Sequence, residues 1–167
     1  DDDGTYSAVL TSSSTTGAAT LSFAIGAEEA TSTASVAFVP GPVDLGLSEI
    51  SANPTEILAD GSSTSLVSVQ LKDAQGNTIV GSTDVVSITT DLGTVTATTA
   101  VGDGLHTATL TSSTTAGTAT LGYAVDGVDA PGTAQVELLV GAVDLAASTI
   151  VATPDSIVAD GTSTSQL

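Results

Sequence analysis

The sequence predicts an all-β protein, a tandem of antiparallel β-sandwiches, and three observations predict it. The first is composition. Of 167 residues 41% are hydrophobic but only 2% aromatic, so the apolar content is mostly Val, Ala, Leu and Ile. Val and Ile, with the abundant Thr, favour a pleated half-buried surface over a helix. The second is self-similarity: laid one hundred residues apart, 3–67 and 103–167 are identical at 32 of 65 positions without a gap,. The third is apolar–hydroxyl alternation with a period of two, in segment after segment.

The repeat sets the organisation. Gly4-Thr-Tyr-Ser-Ala-Val-Leu-Thr-Ser-Ser returns as Gly104-Leu-His-Thr-Ala-Thr-Leu-Thr-Ser-Ser. Ser48, Ile50, Ala52, Pro54, Ile57 and Ala59-Asp-Gly return from Ser148 onward. Residues 1–40 therefore read as the end of one unit and 41–47 as a linker. Residues 48–140 read as a complete unit, 141–147 as a second linker and 148–167 as the start of a third unit. A chain of this kind is expected to be a window of an array, with partial units lacking much of their cores.

Taken in order through the complete unit, Ser48–Leu58 reads as a strand split by Pro54. Val67, Val69 and Leu71 alternate with Ser68, Gln70 and Lys72. Val86 and Ile88 flank Ser87, and Val95 and Ala97 flank Thr96. Ala108 and Leu110 alternate with threonines; Ala119, Leu121, Tyr123 and Val125 form the next stripe and Val136, Leu138 and Val140 the last. The earlier copy keeps this parity at Ala19, Leu21, Phe23, Ile25, Val36 and Phe38, as a buried sheet face requires, because a one-residue slip would invert it. Turn-formers separate the runs at Asp60-Gly61, Asp73–Asn77, Asp91–Gly93, Gly102–Gly104, Ala116-Gly117 and Asp126–Gly132. About seven short strands per ~100-residue repeat indicate sandwiches of immunoglobulin type. A β-solenoid is the rival, but its repeats run nearer 20–30 residues.

Charge excludes several partners. Nineteen acidic residues face one lysine and no arginine, a formal charge of -18. Nucleic-acid binding needs cations that displace counterions from phosphates, and an anionic membrane surface would repel this chain. No apolar run approaches the ~20 residues of a membrane helix. The chain opens on Asp1-Asp2-Asp3-Gly4, which does not read as a signal peptide. Without cysteine there is neither a disulfide framework nor a thiolate metal site.

Three stretches carry a resemblance: Ser48-Glu-Ile-Ser-Ala-Asn-Pro54, Ala59-Asp-Gly-Ser-Ser-Thr-Ser65 and Val69-Gln-Leu-Lys-Asp-Ala-Gln-Gly-Asn77. With Asp91-Leu-Gly-Thr-Val95 and Ala116-Gly-Thr-Ala-Thr120, they resemble the bacterial Ig-like repeats of the invasin and intimin group. The resemblance runs through all three units. It implies a secreted or cell-surface bacterial protein in which such repeats form a stalk. Similar arrays in giant adhesins are often acidic and stiffened by calcium.

Asp60-Gly61 and Asp160-Gly161 lack the strand-to-helix step and lysine of a phosphate cradle, and read as turns in which Asp accepts amides and Gly supplies a positive φ. Calcium, a hard cation taking oxygen ligands, is the candidate ion. In an Ig-type sandwich one end carries Asp73, Asn77, Asp103, Asp126 and Asp129, and the linker brings Asp44 there; solvated turn aspartates are the plainer reading of the same residues. His106, on the inward parity where the other copy has Tyr6, reads as packing. Lys72 reads as a solvated charge and not as an isopeptide donor. One histidine in a strand core provides no base for a serine nucleophile, so no enzyme is expected. Tyr6, Phe23, Phe38 and Tyr123 all fall on inward parity, which leaves no sugar-stacking platform, and an arginine-containing integrin tripeptide is impossible.

The expected function is mechanical: a spacer or stalk segment of a bacterial surface adhesin, stiffened by calcium if an ion binds at the domain junctions. Its partners would be neighbouring repeats of the same chain, with any host-cell ligand contacted through domains outside this window. The alternatives are a ligand-binding adhesion module and a subunit of a self-assembling filament or surface layer.

Overall fold

The computed structural model describes residues 4–167; the opening Asp1-Asp2-Asp3 lies outside the described residues. In the first unit, strands β1 (Gly17–Leu21) and β4 (Ala34–Phe38) pair antiparallel, and β2 (Ala24–Ile25) with β3 (Glu28–Glu29) makes a small hairpin. The complete unit follows with β5 (Glu49–Asn53), β6 (Glu56–Leu58), β7 (Thr64–Gln70), β8 (Val86–Thr90) and β9 (Thr94–Val95). It closes with β10 (Thr99–Gly102), β11 (Leu105–Thr111), β12 (Gly117–Val125) and β13 (Val128–Leu139).

Two sheets face each other in this unit. One runs β10-β11-β7-β5 with β9 also on β11, and the other runs β6-β13-β12-β8. Every pairing is antiparallel except β6 with β13, which is parallel. This is the sandwich the alternation predicts, and it excludes the solenoid. The expected seven strands become nine segments, β5 to β13. The reason is local. Pro54 lacks an N–H and cannot continue a ladder, so the chain leaves one sheet as β5 and joins the other as β6. The Pro54 carbonyl accepts from the Ser65 hydroxyl at 2.6 Å. Likewise β9 and β10 are two pieces of one edge, both on β11.

Alternation builds the core. Val67, Val69 and Leu71 from β7 and the segment after it are fully buried, as are Leu110 from β11 and Ala119 and Leu121 from β12. Burial of this apolar surface stabilises the unit by roughly 25 cal/mol per Å². Ile50 and Ile88 pack against both halves of the core and join them. Val140, assigned above to the last inward stripe, lies beyond β13 and is exposed.

The two copies share register but not burial. Gly17 pairs with Phe38 and Leu21 with Ala34, as Gly117 pairs with Leu138 and Leu121 with Ala134. Yet Tyr6 is 91% and Phe23 57% exposed, against 6% for His106 and 3% for Tyr123. The inward placement expected for Tyr6 and Phe23 is not realised: both lie outside β1 to β4 and both are exposed. In the complete unit β7 and β8 flank β11 and β12, and the first unit has no such neighbours among the described residues. Phe38 is half-buried, against the first linker.

Candidate functional site

The linker side of the complete unit carries a hydrogen-bonded network around Asp44, Ser48 and Asp73. Asp44 begins it: its Oδ1 accepts the Gly46 and Leu47 amides at 2.8 and 3.1 Å. Its own amide donates to the Lys72 carbonyl at 2.8 Å, and its carbonyl accepts the Ser48 amide and hydroxyl at 2.9 and 2.8 Å. Ser48, 4% exposed, also takes the Lys72 amide on its Oγ at 3.0 Å. From β12 the Tyr123 hydroxyl donates to the Ser48 carbonyl at 2.9 Å and lies 3.4 Å from that of Leu45. Burial, with Glu49 adding to it, pushes the Tyr123 phenol above its ordinary value, which keeps the group a donor.

Asp73 is a buried carboxylate, 1% exposed, just past the end of β7. A buried charge is tolerated only when its lone pairs find donors, and here they do. Its Oδ1 accepts the Gln75 and Asn77 amides at 2.9 and 2.8 Å, and its Oδ2 the Gly41 amide at 2.9 Å. The Asn77 Nδ2 lies 3.2 and 3.0 Å from the two oxygens. These donors, the Asn77 side chain first, outweigh desolvation and hold the carboxyl at about 2, below its ordinary 3.8.

Asn77 then reaches the preceding unit. Its Nδ2 donates to the Ser14 carbonyl at 2.9 Å, and its Oδ1 accepts the Thr16 amide at 3.3 Å. A groove of about 620 Å³ runs along this contact, lined by Ser14, Thr16, Phe38, Gly41, Gln75 and Asn77 among others.

The remaining calcium candidates share this end without converging. Asp103 and Asp126 both hold a left-handed backbone, φ 50. The Asp103 carbonyl accepts from Gln70 Nε2 at 2.8 Å, and the Asp126 Oδ1 accepts the Val85 amide at 2.8 Å. Asp129 lies opposite Ala124 in the β12–β13 ladder. Among the described residues no three His, Asp or Glu side chains are grouped so as to hold a metal ion. A cation at Asp73 would have to displace the N–H donors already there.

The opposite end carries the Asp60 turn. Asp60 Oδ1 accepts the Ser62 and Ser63 amides at 2.7 and 2.6 Å and the Ser112 hydroxyl at 3.1 Å, and Gly61 sits at φ 74. The Ser63 amide and hydroxyl lead the donors that hold this carboxyl well below the usual range. His106 is buried between β10 and β7, where desolvation pushes its pKa down against the opposing pull of Asp84. Lys72, expected as a solvated charge, pairs with Glu49 at 2.9 Å. With Glu49 exposed and Lys72 half-buried, that pair is worth ~0–1 kcal/mol. Sequence reasoning gave no role to Gly41, Ser48 or the Tyr123 hydroxyl. The recurrence of Asp and Ser four apart, Asp44/Ser48 and Asp144/Ser148, was the one signal available.

A family model described as "Invasin, domain 3" matches residues 44–141. The adhesin InvE of Yersinia pseudotuberculosis is 37% identical over 61% of this chain and 29% of its own, with a TM-score of 0.57. Invasin, a bacterial integrin-binding protein, is 30% identical over 90% of this chain and 30% of its own, with a TM-score of 0.64. The Escherichia coli adhesin FdeC is 28% identical over 82% of this chain and 45% of its own, with a TM-score of 0.61. This chain thus spans less than half the length of each. Such proteins are bacterial surface or extracellular adhesins, and the segment described here is an extracellular or cell-surface module of that kind. With its Ig-type sandwich, its hundred-residue repeat and a family match over a whole unit and the linker residues that tie to it, the chain belongs to the invasin domain 3 family.

Proposed function

We propose that this chain is a structural spacer of a bacterial surface adhesin, holding a distal binding domain away from the cell. The observation that supports this is the tied linker. Asp73, Lys72 and Tyr123 hold Gly41, Asp44 and Leu45 against the body of the unit. Units that fold locally and touch through short fixed linkers transmit length and direction. The unit serves no catalytic role in this reading.

The test uses the full-length adhesin. Deleting 44–141 shortens the surface fibre by one unit in electron micrographs, while the isolated chain shows no saturable binding to host cells. Saturable binding by the isolated chain overturns the spacer reading in favour of a binding module. The hydroxyl-lined groove beside Gln75 and Asn77 is the place such a module would use. Calcium stiffening is the finer question. Six candidate oxygen donors and a charge of -18 favour it, whereas the N–H donors around Asp73 favour a joint held directly. Melting in calcium against chelator decides: an unchanged transition supports the direct joint, and a shift of several degrees supports the ion.

A further inference from the structure

We propose that Asn77 is the coupling residue that locks the complete unit to the one before it, and that Asp73 is the positioning residue that aims it. This deepens the spacer reading by naming what fixes the angle between units. Little freedom is left in the connection itself. Pro40 and Pro42 have restricted φ, Gly41 is held by Asp73, and Val43 bridges to Asp73. What remains is rotation of the first unit about the short stretch before Gly41. The Asn77 side chain stops that rotation because it meets the Ser14–Thr16 stretch at two points, its Nδ2 donating to the Ser14 carbonyl and its Oδ1 accepting the Thr16 amide.

The amide is suited to this task. Its two N–H groups divide between the Ser14 carbonyl and the Asp73 carboxylate, and its oxygen is left for Thr16. Asp73 therefore fixes which way the amide faces: a flipped amide would put an oxygen against a carboxylate. An aspartate at position 77 would lose both donors and repel Asp73. The loop that carries the pair, 73–77, closes on itself through the Gly76 amide to the Asp73 carbonyl at 2.9 Å, so the residues arrive as one piece. Two neutral hydrogen bonds lost from such a joint raise the population of the unlocked state by roughly thirty-fold.

The chain has no cysteine, so spin labels can be placed at will. Labels at Ser35→Cys on β4 and Ser87→Cys on β8, both exposed, report the distance between units by pulsed dipolar spectroscopy with chelator present. A narrow distribution is expected, broadened by Asn77→Ala. Thr16→Pro removes the Thr16 N–H from the other side without touching the complete unit, and is expected to broaden it too. Thermal melting of the complete unit stays near its starting value in Thr16→Pro. A distribution that is broad from the outset, or unmoved by both variants, overturns the proposal. A distribution that narrows only when calcium is added overturns it in favour of a bound ion. Neither result touches the fibre-length test of the spacer reading.

Discussion

Gly104→Ala should destabilise the complete unit far more than Gly76→Ala, although the two glycines have nearly the same backbone. Gly104 sits at φ +70 and Gly76 at φ +81, both left-handed. An L-residue there costs roughly 1–2 kcal/mol in either place. Space separates them. A Cβ on Gly76 meets nothing within 4 Å, whereas one on Gly104 lies 2.7 Å from the Ile79 carbonyl oxygen and 3.1 Å from that of Leu71. Both neighbours are backbone of buried residues, so neither yields cheaply. Relief requires moving Gly104 away from β7, and that move strains the bond from the Leu71 amide to the Gly104 carbonyl, 2.9 Å. Overpacking of this kind adds about 1–3 kcal/mol, and a weakened bond about 1 more. The expected totals are ~4 kcal/mol for Gly104→Ala and ~1.5 kcal/mol for Gly76→Ala. For a unit this size the difference is about 10 °C or more in Tm. Thermal and urea melts of both variants measure it. Equal losses would refute the argument from close approach and leave backbone strain as the whole effect.

Leu110→Ala removes a fully buried side chain that packs with Val67, Leu121, Val136 and Leu138, and should cost about 3–5 kcal/mol in urea unfolding. Tyr123→Phe deletes the hydroxyl donated to the Ser48 carbonyl, and should cost about 1 kcal/mol; the earlier copy has Phe at the matching position 23. A negligible effect there would mean that the linker is held without it. Asp73 ionises at about 2 in the folded chain against 3.8 ordinarily, so its stabilisation is complete above about pH 5 and lost as pH falls through 4 to 2. The Tm gap between the wild type and Asp73→Asn should therefore shrink across that window, and a constant gap would refute the linkage.

The strands were legible because alternation dictates which side of a pleat each residue takes, whatever lies beyond it. The stripe Val67, Val69, Leu71 and the stripe Ala119 to Val125 are the buried faces of β7 and β12 as read. The linker side was legible in part. An Ig-type strand order puts the oxygen-bearing side chains of Asp44, Asp73, Asn77, Asp103, Asp126 and Asp129 at one end, but which donors each meets depends on how the loops fold together. The joint between Asn77 and Ser14 spans 63 residues in sequence, and no local pattern encodes it.

The repeat separates what sequence determines alone from what tertiary structure decides. Asp160 takes the Thr162 and Ser163 amides at 2.9 and 2.7 Å, nearly as Asp60 takes its own. Ser165 donates to the Pro154 carbonyl as Ser65 does to Pro54, and Ser148 to Asp144 as Ser48 to Asp44. These bonds form in 144–165, most of whose residues are exposed: those of Asp144 and Asp160 span two to four residues and that of Ser165 spans eleven, and none needs a core. Strand and burial behave otherwise. Residues 149–153 match β5 in the repeat but keep only the bridge between Thr153 and Gln166. Ile150 and Ile157 are exposed where Ile50 and Ile57 pack into the core. A strand is completed by partners distant in the chain and an apolar side chain is buried only by a second sheet. Sequence alone therefore wrote the turns and the register, and the assembled sandwich decided the core, the tied linker and the Asn77 joint.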